Sequence, residues 1–151
     1  MKFIYYNIYI KVNIIMKPDV WGPHAWIFLH SITLEYPDNP TDEDKVNIVN
    51  FINSLSLVLP CQKCRINFGL HLEKYPLTNK VLESKTNLVK WMIDIHNCVN
   101  VTNNKKELSY EDSLKEILKL YNSDNKNLII ILAIILFVLV VIGIFLFNMF
   151  Y

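Results

Sequence analysis

The stretch Leu59-Pro-Cys-Gln-Lys-Cys64, "LPCQKC", holds two of the chain's three cysteines. Two residues between the thiols is the spacing of a dithiol that can close on itself. Such a pair is a redox centre, half of a metal site, or an accident. A thioredoxin-type C-x-x-C belongs to a strand–helix unit. What flanks Cys61 therefore decides the fold.

Outward from this stretch the chain reads as helix throughout. Upstream, Val46, Val49, Ile52, Leu55 and Leu59 recur every three or four residues, the period of one helix face. Thr41 followed by Asp44 is a variant of the capping box and marks where that helix starts. Before it, "DVWGPHAWIFLHSITLEY" (Asp19–Tyr36) sets Val20, Ile27, Leu34 and Trp26, Leu29, Ile32 at helical spacings, and Pro37 and Pro40 end the run. Pro60 stops the second helix and sits near the start of a third that carries Cys61 and Cys64. Tyr75-Pro76 ends this one. Ser84 caps a fourth with Leu88, Met92, Ile95 and Val99 as its stripe. "NNKK" (Asn103–Lys106) is a loop. Ser109 with Asp112 opens a short fifth helix containing Leu114, Ile117, Leu118 and Tyr121. No strand of alternating pattern competes.

Composition bounds the rest. A chain of 151 residues holds one ordinary domain plus an appendage. Formal net charge is +1, so bulk electrostatics give no reason to expect nucleic acid as a partner. Three cysteines are too few for a disulfide scaffold. The appendage is the C-terminus. Leu128–Phe147, "LIIILAIILFVLVVIGIFLF", is a run of 20 apolar residues, about what a helix needs to cross the hydrocarbon core. A buried core helix rarely goes so far without a polar residue. Lys115, Lys119 and Lys126 precede the run and no basic residue follows it. The positive-inside rule then predicts a C-terminal anchor with the domain on the cytosolic side. The N-terminal stretch 1–16, "MKFIYYNIYIKVNIIM", is apolar but broken by Asn7, Lys11 and Asn13. It is too short to span and lacks the small-residue cleavage site of a signal peptide. It reads as a poorly structured extension, or as an upstream start with Met16 the true one. The expected organisation is an extension over 1–16, a helical domain over 17–124 and a transmembrane helix over 128–147.

With no strand before it, Cys61 is not in a thioredoxin-type unit. A zinc site needs four ligands; Cys61, Cys64, His71 and His96 supply them on paper, without the usual spacing of a second ligand pair, and no metal is expected. What remains is a redox pair at a helix start, where unpaired N–H groups and the positive helix end favour a thiolate. A working dithiol must pass its electrons on, and an organic cofactor is the natural acceptor.

"WGPHAWIFLH" (Trp21–His30), "YPDNPT" (Tyr36–Thr41), "LPCQKC" and "WMIDIHNCVN" (Trp91–Asn100) follow one another in the order found in the Erv/ALR FAD-linked sulfhydryl oxidases. Each piece alone is weak; four in order resemble that family from about Trp21 to Tyr110. The "WGP" opening looks most like the versions of large cytoplasmic DNA viruses. The resemblance implies an all-α fold: a four-helix bundle plus a short fifth helix that binds FAD, here with a transmembrane helix appended, and a homodimer. It implies an enzyme that oxidises thiols to protein disulfides, passing electrons through the Cys61–Cys64 disulfide to FAD and on to dioxygen, which becomes hydrogen peroxide. Cys61 would be the attacked, outer sulfur and Cys64 the one facing the flavin. Gly22, Trp26 and His30 on the first helix match the family's flavin contacts, as do His96, Asn97, Val99 and Asn100 in the H-N-x-V-N motif, with Lys105 or Lys106 at the pyrophosphate. Read alone, Trp26 is equally a core aromatic, His30 a satisfied core histidine, and the lysines a solvated loop.

Departures from the family pattern matter. Many relatives carry a second, shuttle C-x-x-C; this chain has none, so either a separate dithiol carrier or the thiol substrate itself meets Cys61. Ile93 stands where a structural disulfide would place its first cysteine, and no cysteine follows Cys98. Cys98 is read as an incidental thiol. A viral or host-derived membrane in an infected cell, or the virion, is the expected location. An inert membrane scaffold and a zinc-binding adaptor are the alternatives from other classes.

Overall fold

The computed structural model describes residues 16–150; the N-terminal extension, but for Met16, lies outside the described residues. Six α-helices follow in order among them: α1 (Pro18–Glu35), α2 (Asp42–Val58), α3 (Gln62–Lys74), α4 (Lys85–Thr102), α5 (Tyr110–Tyr121) and α6 (Ser123–Phe150). A single 3₁₀ turn, Val81–Glu83, precedes α4, and no strand occurs among the described residues. The all-α reading holds. By contacts the chain divides into two units, up to Val99 and from Asn100 on.

Local chemistry sets the helix ends. Pro18 occupies the first turn of α1, where its missing N–H costs nothing and its φ is already helical. Tyr36, ahead of Pro37, leaves the helical region at ψ 139°, as residues before proline do. Thr41 and Asp44 form the complete capping box of α2. The Ser84 hydroxyl accepts the Asn87 N–H at 3.3 Å at the start of α4. The Ser109 hydroxyl accepts the Asp112 N–H at 3.0 Å and so caps α5.

In the first unit the core gathers Leu29 and Tyr36 from the α1 end, Ile52 and Leu59 from α2, Phe68 from α3, Leu82, and Leu88, Trp91, Met92 and Ile95 from α4. Two hydrogen bonds pin long-range contacts inside it. The Tyr36 hydroxyl donates to the Leu82 carbonyl at 3.1 Å, and Trp91 Nε1 donates to the Tyr75 carbonyl at 2.8 Å. The buried face of α1 differs from the expected stripe. Val20 and Ile27 are exposed, at 68% and 37%. The buried line instead runs Leu29, His30, Thr33, Tyr36, and its polar members are invisible to a count of apolar spacing. Val46 of α2 is likewise exposed.

In the second unit α5 packs against α6, with Ser113 and Ile117 buried. Leu118 and Tyr121, expected inside, are exposed. From Ile129 to Phe147 α6 is a 19-residue apolar segment long enough to cross a membrane, and none of it is buried within the protein.

Burial separates two classes of apolar residue, and substitution reports it. Ile95→Ala, at a fully buried position, is expected to cost about 2–5 kcal/mol of unfolding free energy. Leu70→Ala, at an exposed one, stays within about 0.5 kcal/mol. Urea unfolding of the detergent-solubilised protein followed by circular dichroism measures both.

Candidate active site

Cys61 and Cys64 form a disulfide, with Cα atoms 5.1 Å apart. Cys61 lies one residue before α3 rather than inside it. Its extended backbone makes it the N-cap, and its Sγ accepts the Cys64 N–H at 3.2 Å. A sulfur thus takes the place of the usual hydroxyl or carboxylate cap. Both sides of the turn are tied down: the Arg65 N–H donates to the Cys61 carbonyl at 3.0 Å, and the Arg65 guanidinium donates to the carbonyl of buried Leu59. Both sulfurs therefore lie at the positive end of α3, which favours the thiolate whenever the bond opens. The two are not equivalent. Cys64 packs against the core cluster, whereas Cys61 sits on the turn leading into the helix.

The second feature is a cluster of three rings. Trp26 and His30 are one turn apart on α1 and share a face; His96 comes from α4. The Trp26 and His96 rings stack, with centroids 4.0 Å apart and planes 10° from parallel. His30 Nε2 and His96 Nδ1 are hydrogen-bonded at 3.0 Å. His30 is 2% exposed, and burial pushes its pKa down to about 4 because the imidazolium would lose its hydration. His30 Nδ1 is buried without a partner.

Gly22 lies one turn before Trp26 on the same row, and a Cβ there would meet nothing within 4 Å. Open space beside Gly22 and the stacked aromatic faces of Trp26 and His96 together suit a flat heteroaromatic group. Such a group would lie against an outer face of the Trp26–His96 stack, since 4.0 Å leaves no room for a third ring between them. Cys64 and Trp26 pack against the same core cluster.

The remaining expected residues fall as follows. Asn97 and Val99 come next on α4 and are half-buried. Asn100, one turn after His96, belongs to the second unit, as do exposed Lys105 and Lys106. The helix unwinds there around one carbonyl: the Asn103 and Lys105 N–H groups both donate to the Asn100 carbonyl, at 3.0 and 2.8 Å. The paper zinc set is not assembled. Its two cysteines are joined to each other, His96 is in the ring cluster, and no three histidine, cysteine or acidic side chains converge among the described residues. The surface hollow lined by Leu57, Arg65, Ile66, Gly69, Leu70 and Glu73 shares no residue with the ring cluster. Sequence reasoning missed two features: the His30–His96 hydrogen bond and the Arg65 tie. The second had a signal, an arginine one helical turn after Cys61.

The model of the Erv1 / Alr family matches residues 23–119, well over half of the chain. The chain belongs to the Erv1 / Alr family. It is 51% identical over 112 residues to the probable FAD-linked sulfhydryl oxidase of Acanthamoeba polyphaga mimivirus, covering 74% of this chain and 78% of that one. It is 40% identical over 86 residues to the mitochondrial FAD-linked sulfhydryl oxidase of Saccharomyces cerevisiae, covering 55% of this chain and 43% of the yeast protein. Among solved structures, the FAD-binding domain of Erv1 from Saccharomyces cerevisiae superposes with a TM-score of 0.59 at 30% identity, over 64% of this chain and 90% of that domain. The helical core around the disulfide and the ring cluster is thus this family's fold.

Burial of neutral His30 makes stability depend on pH. Its folded pKa is about 4 against an ordinary 6.5, so the unfolded chain takes up a proton first as pH falls. The contribution is complete above about pH 6.5 and is lost progressively toward pH 4. Between pH 7 and pH 5 the loss is expected to be about 2 kcal/mol. Urea unfolding at the two pH values measures it, and His30→Gln is expected to flatten the dependence.

Proposed function

We propose that this Erv1 / Alr family member is an FAD-linked sulfhydryl oxidase that makes protein disulfides, with the overall reaction 2 R–SH + O2 → R–S–S–R + H2O2. The observation that carries this reading is the pairing, on one core, of a disulfide at a helix N-terminus with a stacked Trp–His cluster. The oxidase domain is taken to be residues 17–124.

A substrate thiolate attacks Cys61 Sγ, the sulfur on the turn. The Cys61–Cys64 bond breaks, and Cys64 leaves as a thiolate on the side that packs inward. A second substrate thiolate then attacks the substrate sulfur of the mixed disulfide, forming the product disulfide and releasing Cys61. The Cys64 N–H that already points at Cys61 Sγ at 3.2 Å stabilises the charge left there. The fixed turn, held by Arg65 and Leu59, keeps both sulfurs in register for closure. Gly22, Trp26, His30, His96, Asn97 and Val99 are the residues of the first unit that would hold FAD, and the Cys64 sulfur would adjoin the flavin without anchoring it. When bound, the flavin supplies the two-electron acceptor and the chemistry with dioxygen.

The partner at Cys61 is a thiol-bearing protein or a separate dithiol carrier, and the enzyme acts as a homodimer. The apolar segment of α6 anchors it in a membrane. Lys115 and Lys119 on the preceding helix support a domain on the cytosolic face, where host disulfide formation does not operate. A viral or host-derived membrane of an infected cell fits that placement.

Cys61→Ser and Cys64→Ser are each expected to abolish oxygen consumption with dithiothreitol while retaining bound flavin, whereas Cys98→Ser keeps most activity. Residual turnover in either of the first two would rule out the exchange at this disulfide. For orientation, protease added to intact membranes is expected to digest the domain without detergent; full protection would place it in a lumen.

A further inference from the structure

The His30–His96 pair can be read one step further, to the position of its proton. A neutral imidazole has one N–H and one bare nitrogen, so the 3.0 Å contact between His30 Nε2 and His96 Nδ1 needs one donor and one acceptor. Two arrangements satisfy it. If His96 Nδ1 carried the proton, His30 would have to accept at Nε2 and carry its own proton at Nδ1. That Nδ1 is buried and has no partner, and an orphaned buried N–H is among the rarest features of folded proteins. Protonating either ring fully creates the same orphan, because a charged His30 has both N–H groups and a charged His96 must donate from Nδ1. Burial, which pushes the His30 pKa down to about 4, independently keeps that ring neutral. The remaining arrangement leaves only a bare lone pair at His30 Nδ1.

We propose that His30 is a positioning residue: it donates from Nε2 to His96 Nδ1 and so fixes His96 as its Nε2–H tautomer. Toward every group other than His30, His96 is then a hydrogen-bond donor and not an acceptor. The Trp26 ring, stacked 4.0 Å from His96 and nearly parallel to it, restrains the plane in which that N–H lies. Any ligand atom that meets this N–H must carry a lone pair, as a ring nitrogen, carbonyl or phosphate oxygen does, and cannot be a donor. This consequence for the cofactor rests on the flavin reading above; the tautomer itself does not.

Long-range ¹H–¹⁵N NMR on the labelled full-length protein in detergent micelles at about pH 7 tests the assignment. Both His30 and His96 are expected to show a protonated Nε2 and a bare Nδ1, with a scalar coupling across the hydrogen bond between His30 Nε2 and His96 Nδ1. A protonated Nδ1 on His96 overturns the proposal, whatever the cofactor. His30→Leu is expected to let the His96 tautomers mix and to raise the Kd for FAD by about five- to tenfold, the effect of one hydrogen bond. His30→Gln, which keeps a side-chain N–H donor, is expected to restore the Nε2–H tautomer and most of that affinity. Equal Kd values for the Leu and Gln variants overturn the positioning role. A protein that shows the expected tautomers but takes up no FAD leaves this proposal standing and sinks the flavin reading instead.

Discussion

The burial of α4 is the constraint on which the first unit depends. Leu88, Val89, Trp91, Met92, Ile93 and Ile95 are all buried, which at 100° per residue covers more than half of the helix circumference. A helix held over so wide an arc cannot rotate without opening the core. His96, next in line after Ile95, is therefore fixed in direction, and the rings of Trp26 and His30 on α1 meet a partner whose position is already set. Trp91 adds an axial restraint, because its Nε1 bond to the Tyr75 carbonyl ties α4 to the end of the helix that begins at the disulfide. The sulfur turn and the ring cluster are thus referred to one rigid element.

Much of this was legible in the sequence, and the reason differs from part to part. Helix ends were readable because their signals are local: Thr41 with Asp44, Ser84, Ser109 and the prolines each act within one turn. The stripe Leu88, Met92, Ile95 was readable because α4 buries it almost completely. On α1 the apolar spacing points to Val20 and Ile27, which are exposed, because the buried line of that helix includes His30 and Thr33, whose polarity hides them from a hydrophobic pattern. The spacing sets Cys61 on α3, whereas it caps that helix. The distinction turns on a sulfur accepting a backbone N–H, a role that capping preferences assign to oxygen.

For the site, spacing alone exposed Cys61 and Cys64, whereas Trp26, His30 and His96 stood out only through their resemblance to a family. The contact between His30 and His96 joins residues 66 apart. No periodicity reports a pairing at that distance, and the depressed basicity of His30 arises only once the fold encloses it. Arg65 belongs to the same class: its spacing from Cys61 was visible, but its use of the Leu59 carbonyl depends on how the turn closes.

The chain has three cysteines, and two of them make the disulfide at Cys61 and Cys64, so its sulfur stores a single electron pair. For an oxidase built this way, the pair must discharge one substrate and be reoxidised before it can take the next. It alternates between disulfide and dithiol, and only the disulfide state accepts a substrate thiolate. A crowd of reduced substrates shortens the wait in one of these states and leaves the other unchanged.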